Sequence, residues 1–369
     1  MTANRTITVY GASGHTGQFV VAELRRRGWV PVLSGRDPDK LRAAAEGGQG
    51  ELEIRPAAVD SSTAIDHALD GSAAVINCAG PFRWTAAPVI EAALRAGIPY
   101  LDVAAEIEAV ADTFAHYDER ARDAGIVVVP AMAFYGGLGD LLATAATPGW
   151  TSADEVTIAY GLSSWRPTQG TLASGKVSRQ RREGCRIAYR NGRLELRIDN
   201  APIDESRFPA PLGTQKVQAE FTMADCVTIP RHLATPAMRS YMTITAANDV
   251  SDPDPSPPVA VDESGRSSQT FLVDVVVRSG TTERRAVAGG RDIYAFSAPL
   301  VVEATERVLG GLVERTGALT AGQAFDARDF LRSLPLDHVS LGGFNRSAQG
   351  ARRTSLMVSC SRVPCGGGC

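Results

Sequence analysis

The sequence predicts an α/β protein: a Rossmann-type, doubly wound parallel sheet with a second α+β domain built on a mixed or antiparallel sheet. Three observations predict it. Strand and helix signals alternate through the first 145 residues, the pattern turns to period two with hairpin turns from Asp154 to Gly290, and helical period returns after Arg291. At 369 residues, 44% hydrophobic and 21% charged, the chain has material for more than one packed core. The boundaries read as 1–148 for the parallel-sheet domain, 149–290 for the sheet domain and 291–344 for helices returning to the first domain. Residues 345–369, rich in Gly, Ser and Arg, read as a disordered tail.

The first element is the apolar, β-branched run Ile7 to Tyr10. Gly11-Ala-Ser-Gly-His-Thr-Gly17 follows at once, then an amphipathic segment from Gln18 to Arg27 and a second apolar run, Trp29 to Leu33. This strand, glycine turn, helix and strand is what a dinucleotide site requires. Gly11 permits the tight turn, Gly14 lets backbone approach a pyrophosphate, and Gly17 lets the helix pack on the strand. Ser13, His15 and Thr16 complete a loop whose free N–H groups face the anion at the positive helix end.

The second strand ends in Ser34-Gly35-Arg36, with no carboxylate on the strand itself. A carboxylate there would accept from the ribose 2′-OH of NAD. Arg36 instead offers a planar cationic fork suited to a phosphate, and Ser34 another donor. Asp37, one residue on, remains within reach of a ribose, and a solvated loop arginine is the plain alternative for Arg36. The spacing favours NADP(H). The cluster Arg25, Arg26 and Arg27 reads as an exposed helix end.

Further along, Leu52 to Val59 reads as a third strand ending at Asp60, and Ala73 to Cys78 as a buried parallel strand. A helix follows from Ala86 to Ala96, a fifth strand from Pro99 to Val103, a helix from Ile107 to Ala124, and a sixth strand from Ile126 to Pro130. In the second domain the strand candidates are Val156 to Tyr160, Cys185 to Tyr189, Leu194 to Ile198, Tyr241 to Thr245 and Phe271 to Val277. Asn191-Gly192 is a strong hairpin signal and Ser279 to Thr282 looks like another. One helix is expected at Leu172 to Arg182, and Asn248 to Ser268 is a proline-rich loop. Ala298 to Val313 and Ala321 to Leu334 are the closing helices.

Composition excludes some functions. A net charge of −3 gives no reason to expect nucleic acid or an anionic membrane as partner. No apolar run approaches the ~20 residues that span a bilayer, and no targeting segment is read. Three scattered cysteines (Cys78, Cys185, Cys226) look like reduced thiols of a cytoplasmic protein. Cys360, Cys365 and Cys369 lie in the tail without a fourth ligand or framework for a metal. A Tyr-x-x-x-Lys proton-transfer pair is absent: four residues before Lys40, Lys176 and Lys216 stand Arg36, Leu172 and Leu212. Cys78 has no local His partner, so it reads as packed rather than nucleophilic. Candidate proton donors or binders after strands five and six are Asp102, Glu106, Tyr135 and Asp140. Tyr135 and Asp102 stand as the catalytic candidates, although Asp102 reads more readily as a structural anchor of loop N–H groups, and a tyrosine after a strand more readily as packing. Gly136 to Asp140 reads as a helix start that binds an anionic group or acts as a hinge.

These segments resemble the saccharopine dehydrogenase-like oxidoreductases, including their trans-acting enoyl reductase branch. The residues that carry the resemblance are Gly11 to Gly17, Ser34 to Leu41, Val75-Ile-Asn-Cys-Ala-Gly-Pro-Phe82, Tyr100-Leu-Asp-Val-Ala-Ala-Glu106, Pro130 to Asp140 and Gly170-Thr171. The resemblance implies an NADP-binding domain covered by a sheet domain that supplies the substrate pocket. It also implies that Ala79, Gly80, Pro81 and Phe82 pass near the cofactor. Gly80 and Pro81 suit a close-approach turn at the carboxyl end of a parallel strand, or an ordinary strand exit. Asp60 suits adenine contact or capping of the next helix with Ser61 and Ser62. The function expected is NADPH-dependent reduction of a C=C or C=N bond in a small or carrier-linked metabolite, by a protein that is a possible homodimer. The alternative is a nonenzymatic NADP(H)-binding sensor or scaffold.

Overall fold

The computed structural model describes residues 4–46 and 52–342; the expected tail, 345–369, with its three cysteines, lies outside them. The first sheet holds β1 (Thr6–Tyr10), β2 (Val30–Gly35), β3 (Ile54–Pro56), β4 (Ala74–Asn77), β5 (Tyr100–Asp102) and β6 (Val127–Val129). Between them run α1 (His15–Arg26), α2 (Pro38–Glu46), α3 (Ser62–Leu69), α4 (Phe82–Ala96) and α5 (Ile107–Asp123), and α6 (Gly139–Ala146) follows. All these strands pair in parallel. Parallel strands covered by helices on both faces bury both sides, which is why the central ones read as unbroken apolar runs. Ile7, Val9, Val75 and Ile76 are fully buried.

The second domain contributes β7 (Glu155–Leu162), α7 (Gln169–Arg181), β8 (Arg186–Arg190), β9 (Arg193–Arg197), β10 (Ile203–Arg207) and β11 (Thr214–Ala219). It continues with α8 (Asp225–Thr228), β12 (Met238–Thr243), α9 (Ile244–Ser251), β13 (Thr270–Ser279) and β14 (Thr282–Arg291). The chain then forms α10 (Ile293–Leu309), β15 (Gly317–Ala318), α11 (Ala321–Ala324), α12 (Ala327–Ser333) and β16 (His338–Leu341). The second sheet has the order β10-β11-β12-β7-β13-β14-β16. It is mixed, with β12 and β7 parallel and the other pairs antiparallel. Both hairpin turns form: Arg190 pairs with Arg193 around Asn191-Gly192, and Ser279 with Thr282 around Gly280-Thr281.

The first sheet has the order β15-β6-β5-β4-β1-β2-β3, so the direction of winding reverses between β1 and β4. In such sheets the crevice at the strand carboxyl ends on either side of the reversal is where ligands bind.

Several boundaries move for identifiable reasons. Helix α4 begins at Phe82 rather than Ala86, because Glu106 accepts from Phe82 N and Arg83 N at 2.7 and 3.1 Å. Helix α10 begins at Ile293 rather than Ala298, because Asp292 accepts from Tyr294 N and Ala295 N. The single helix expected over Ala321 to Leu334 is two, broken at Phe325, with a capping box at Thr320 and a second cap at Asp326. Helix α9 runs into the start of the expected proline-rich loop and ends at Ser251. Arg27 is not a solvated helix end: it reaches Glu303 and Glu306 of α10, and Trp29 Nε1 donates to Glu306 at 2.7 Å. These contacts lay α10 along α1. Residues 291–344 do not all return to the first domain, since β16 pairs with β14 in the second sheet while β15 extends the first.

Candidate functional site

A cavity of about 910 Å³ opens at the winding reversal, walled on one side by the ends of β1 and β4 and on the other by α7 and residues of the second domain. The glycine loop forms its floor. Gly11 has φ +87°, and a Cβ there would stand 2.6 Å from Ala79 N, so only glycine lets the two strand exits meet. A Cβ at Gly17 would stand 2.2 Å from Gly11 O; the helix packs on the turn as expected. The N-cap of α1 is Gly14, which has no side chain to satisfy the first turn, and that turn holds no acidic residue. Ser13, Gly14, His15 and Thr16 line the cavity around these uncapped N–H groups. The arrangement fits a pyrophosphate.

At the end of β2 the structure separates the candidates. Arg36 and Lys40 both line the cavity, and Arg36 makes no hydrogen bond or ion pair to any described residue. Asp37 is committed elsewhere: its Oδ1 accepts from Asp39 N and Lys40 N, each at 3.1 Å, at the start of α2. Those bonds hold its carboxyl below the usual carboxylate range. Two cations and an occupied carboxylate suit a 2′-phosphate better than a bare ribose. Ser34 does not serve as a ligand donor. It is fully buried, its hydroxyl donates to Arg55 O at 2.8 Å, and its carbonyl accepts from Gly11 N and Ala12 N, so it fixes the glycine loop from behind. Asp60 neither lines the cavity nor caps α3; the cap is Ser61, which accepts from Ala64 N, and Val59 faces the cavity instead.

Ala79, Gly80, Pro81 and Phe82 line the cavity where β4 ends. A Cβ at Gly80 would stand 2.8 Å from Ser174 Oγ of α7, so this turn is where the second domain closes on the first. Cys78 also faces the cavity, but burial pushes its thiol up and keeps it protonated.

Tyr135 lies on the cavity wall, its ring 5.0 Å from those of Trp165 and Tyr160 and 4.8 Å from that of Phe134. Its buried hydroxyl has no hydrogen-bond partner among the described residues. Burial, then the nearby Tyr294 and Asp225, push it well above an ordinary phenol, so it holds its proton. Tyr294 forms the opposite polar corner, taking hydrogen bonds from Trp165 Nε1 at 3.0 Å and Thr168 N at 3.3 Å and sharing one with Thr171 Oγ1 at 2.9 Å. His15 lies edge-on to Tyr294, its Nε2 buried without a partner. Burial lowers its pKa against the pull of Asp292, so the ring is neutral.

The other candidate carboxylates have partners within the protein. Asp102, expected as a catalytic partner, is buried away from the cavity wall. It accepts from Ala104 N at 3.0 Å, Ala131 N at 2.7 Å and Tyr100 OH at 2.8 Å, tying β5 to the chain leaving β6. Burial raises its pKa to about 6 against those bonds. Glu106 lines the cavity, but its oxygens cap α4. Gly136 to Asp140, expected as an anion-binding helix start or a hinge, lies off the cavity wall; Asp140 is fully buried, bonded to His232 Nε2 and accepting from Gly322 N. Burial opposes protonation of His232, and Asp140 outweighs it, so that pKa is raised. Trp165, Thr168, Thr171 and Tyr294 escaped the sequence reading as site residues, because nothing local marks side chains that meet the cavity only after the second sheet folds over it. Among the described residues no cluster of His, Cys, Asp or Glu has a metal-binding arrangement, and no helix is long and apolar enough to cross a membrane.

The reversal crevice, uncapped α1 and paired cations define a dinucleotide-binding α/β protein whose second domain roofs the site. Residues 7–129, a third of the chain, match the saccharopine dehydrogenase NADP binding domain, which supports NADP(H) as the dinucleotide. The curated saccharopine dehydrogenase-like oxidoreductases of Bos taurus and Homo sapiens are each 29% identical over 145 residues, 35% of this chain and 34% of theirs. The matched part thus spans about a third of those relatives. The apo saccharopine dehydrogenase (L-Glu forming) of Saccharomyces cerevisiae shares the fold across both domains, with a TM-score of 0.60 at 12% identity, covering 89% of this chain and 96% of that one.

Proposed function

We propose that the protein is an NADPH-dependent oxidoreductase that reduces a C=C or C=N bond of a small or carrier-linked metabolite. The observation that carries this reading is the Tyr135 hydroxyl, buried on the cavity wall with no partner among the described residues. An unsatisfied buried donor costs about 1–3 kcal/mol, which a bound acceptor atom recovers. NADPH, when bound, would supply the hydride; Gly11 to Gly17 and Arg36 would hold the dinucleotide, and Ala79 to Phe82 line the same cavity where β4 ends. Tyr135 donates a hydrogen bond to the oxygen or nitrogen on which negative charge develops, and the aromatic wall around it excludes water. A sensor would present a partner surface at this position; the roofed cavity favours a substrate instead.

The test is loss of NADPH absorbance with a panel of enones and cyclic imines. Tyr135→Phe is expected to lower kcat by about 100-fold, while NADPH affinity stays level and stability holds or rises by up to about 1–3 kcal/mol, because the lost hydroxyl is buried without a partner. No oxidation across the panel refutes the reading. Unpaired thiols at Cys78, Cys185 and Cys226 support a cytoplasmic setting, which fractionation checks. A homodimer is read directly by light scattering.

A further inference from the structure

Four basic side chains line the cavity: His15, Arg36, Lys40 and Arg182. His15 is neutral, and Arg36 and Lys40 stand at the phosphate end. Arg182 alone belongs to the wall built by α5 and the end of α7, where the acceptor's arm would lie. Its Nε donates to Ser178 O at 3.1 Å and stands 3.0 Å from Glu108 Oε1. That separation is an ion pair without hydrogen-bond alignment: both Glu108 oxygens are out of contact with solvent and accept no hydrogen bond. Neighbouring charges are engaged. Glu106 caps α4, and Arg181 binds Asp112 through two contacts of 2.6 and 2.9 Å. The nearest charge to the carboxylate of Glu108 is therefore that of Arg182, which it cancels, with a longer-range pull on Arg181.

We propose that Glu108 is a specificity-determining residue, setting this wall for an uncharged arm of the acceptor and against a carboxylate. The proposal rests on the reading that the cavity takes a reducible acceptor. A carboxylate arm drawn to Arg182 meets Glu108 within a few ångströms, and like charges in a part-buried site are strongly disfavoured. A neutral arm lies against a pair that is already compensated. Only one residue of α7, Ser178, is buried, so the wall is held to α5 mainly by its ion pairs.

The experiment titrates the NADP⁺-loaded protein calorimetrically with 4-oxononanoate and with its methyl ester, both saturated. Wild type is expected to bind the ester more tightly by about tenfold or more. Glu108→Gln keeps the shape, strips the charge and leaves Arg182 unpaired, so that ratio is expected to fall by about tenfold or more. Retained NADPH affinity reports that the variant is folded. Equal affinities in wild type, an unmoved ratio in the variant, or failure of both ligands to bind overturns the assignment. The matching enones test reduction separately: binding without turnover removes the reductase reading and leaves Glu108 as a selector of uncharged ligands.

Discussion

Arg36→Ala separates the two nicotinamide cofactors by a margin that follows from the site. A hydrogen bond to a charged group contributes about 1.5–3 kcal/mol. Arg36 is exposed and Lys40 shares the same corner, its side chain 73% exposed, so solvent screening places the loss at the lower end. About 1.5 kcal/mol is roughly a tenfold weaker NADPH Kd. Arg36→Ala with Lys40→Ala removes both cations, and the loss is expected to approach about 100-fold. NADH, which carries no 2′-phosphate, is expected to change less than about twofold in either variant. Nucleotide fluorescence titration reads both, and raising the salt should narrow the wild-type preference because both cations are exposed. Asp37→Ala supplies the control: it loosens the start of α2 and leaves NADH affinity where it was. Equal losses for both cofactors in Arg36→Ala, or a marked loss of NADH affinity in Asp37→Ala, refutes the 2′-phosphate argument.

Other variants test the structural assignments. Asp225 is fully inside, its Oδ2 accepting from Tyr160 OH, and burial raises its pKa from 3.8 to about 6. A raised acid stabilises the fold fully below its unfolded pKa and loses that contribution as pH rises through the folded value. Asp225→Asn is therefore expected to gain on wild type, by on the order of 2–3 kcal/mol between about pH 4 and pH 7 in urea unfolding; a difference that stays flat with pH counts against it. Asp102→Ala strands Ala104 N, Ala131 N and Tyr100 OH, and is expected to cost about 3 kcal/mol of stability. Its folded fraction should still bind NADPH normally. Full stability with lost turnover would return Asp102 to the catalytic machinery.

The nucleotide half was legible because its signals are local. Strand, glycine turn, helix and strand occupy Thr6 to Gly35, and the apolar runs are continuous because parallel strands are buried on both faces. The edge strand β10 escaped notice because Ile203-Asp-Glu-Ser-Arg207 is mostly exposed and carries no alternating apolar face. The start of α4 was misplaced because its cap, Glu106, comes from 24 residues later in the chain. Ser34 shows the same limit at one residue. Its type and position suit a phosphate donor, but side chains alternate along a strand, and the one at Ser34 points to Arg55 on β3. Tyr135 was legible as a candidate, since it follows a strand at the carboxyl edge. That its hydroxyl has no partner depends on Trp165 and Tyr160, which arrive from the second domain, and on Tyr294 of α10.

The last strands give the molecule an order of completion. β15 joins the first sheet beside β6, and β16 joins the second beside β14, although both come from residues 317–341. A chain emerging from the ribosome can wind β1 to β6 early, yet the outer edge beside β6 stays bare until Gly317-Ala318 appears, and α10 reaches α1 only shortly before. Contacts of such long sequence separation slow assembly and bind the two halves into one cooperative unit. The nucleotide site, spelled out in the first residues, is thus completed only when α10 brings Ile293, Tyr294 and Ser297 to the cavity wall, and melting is expected to take both domains together.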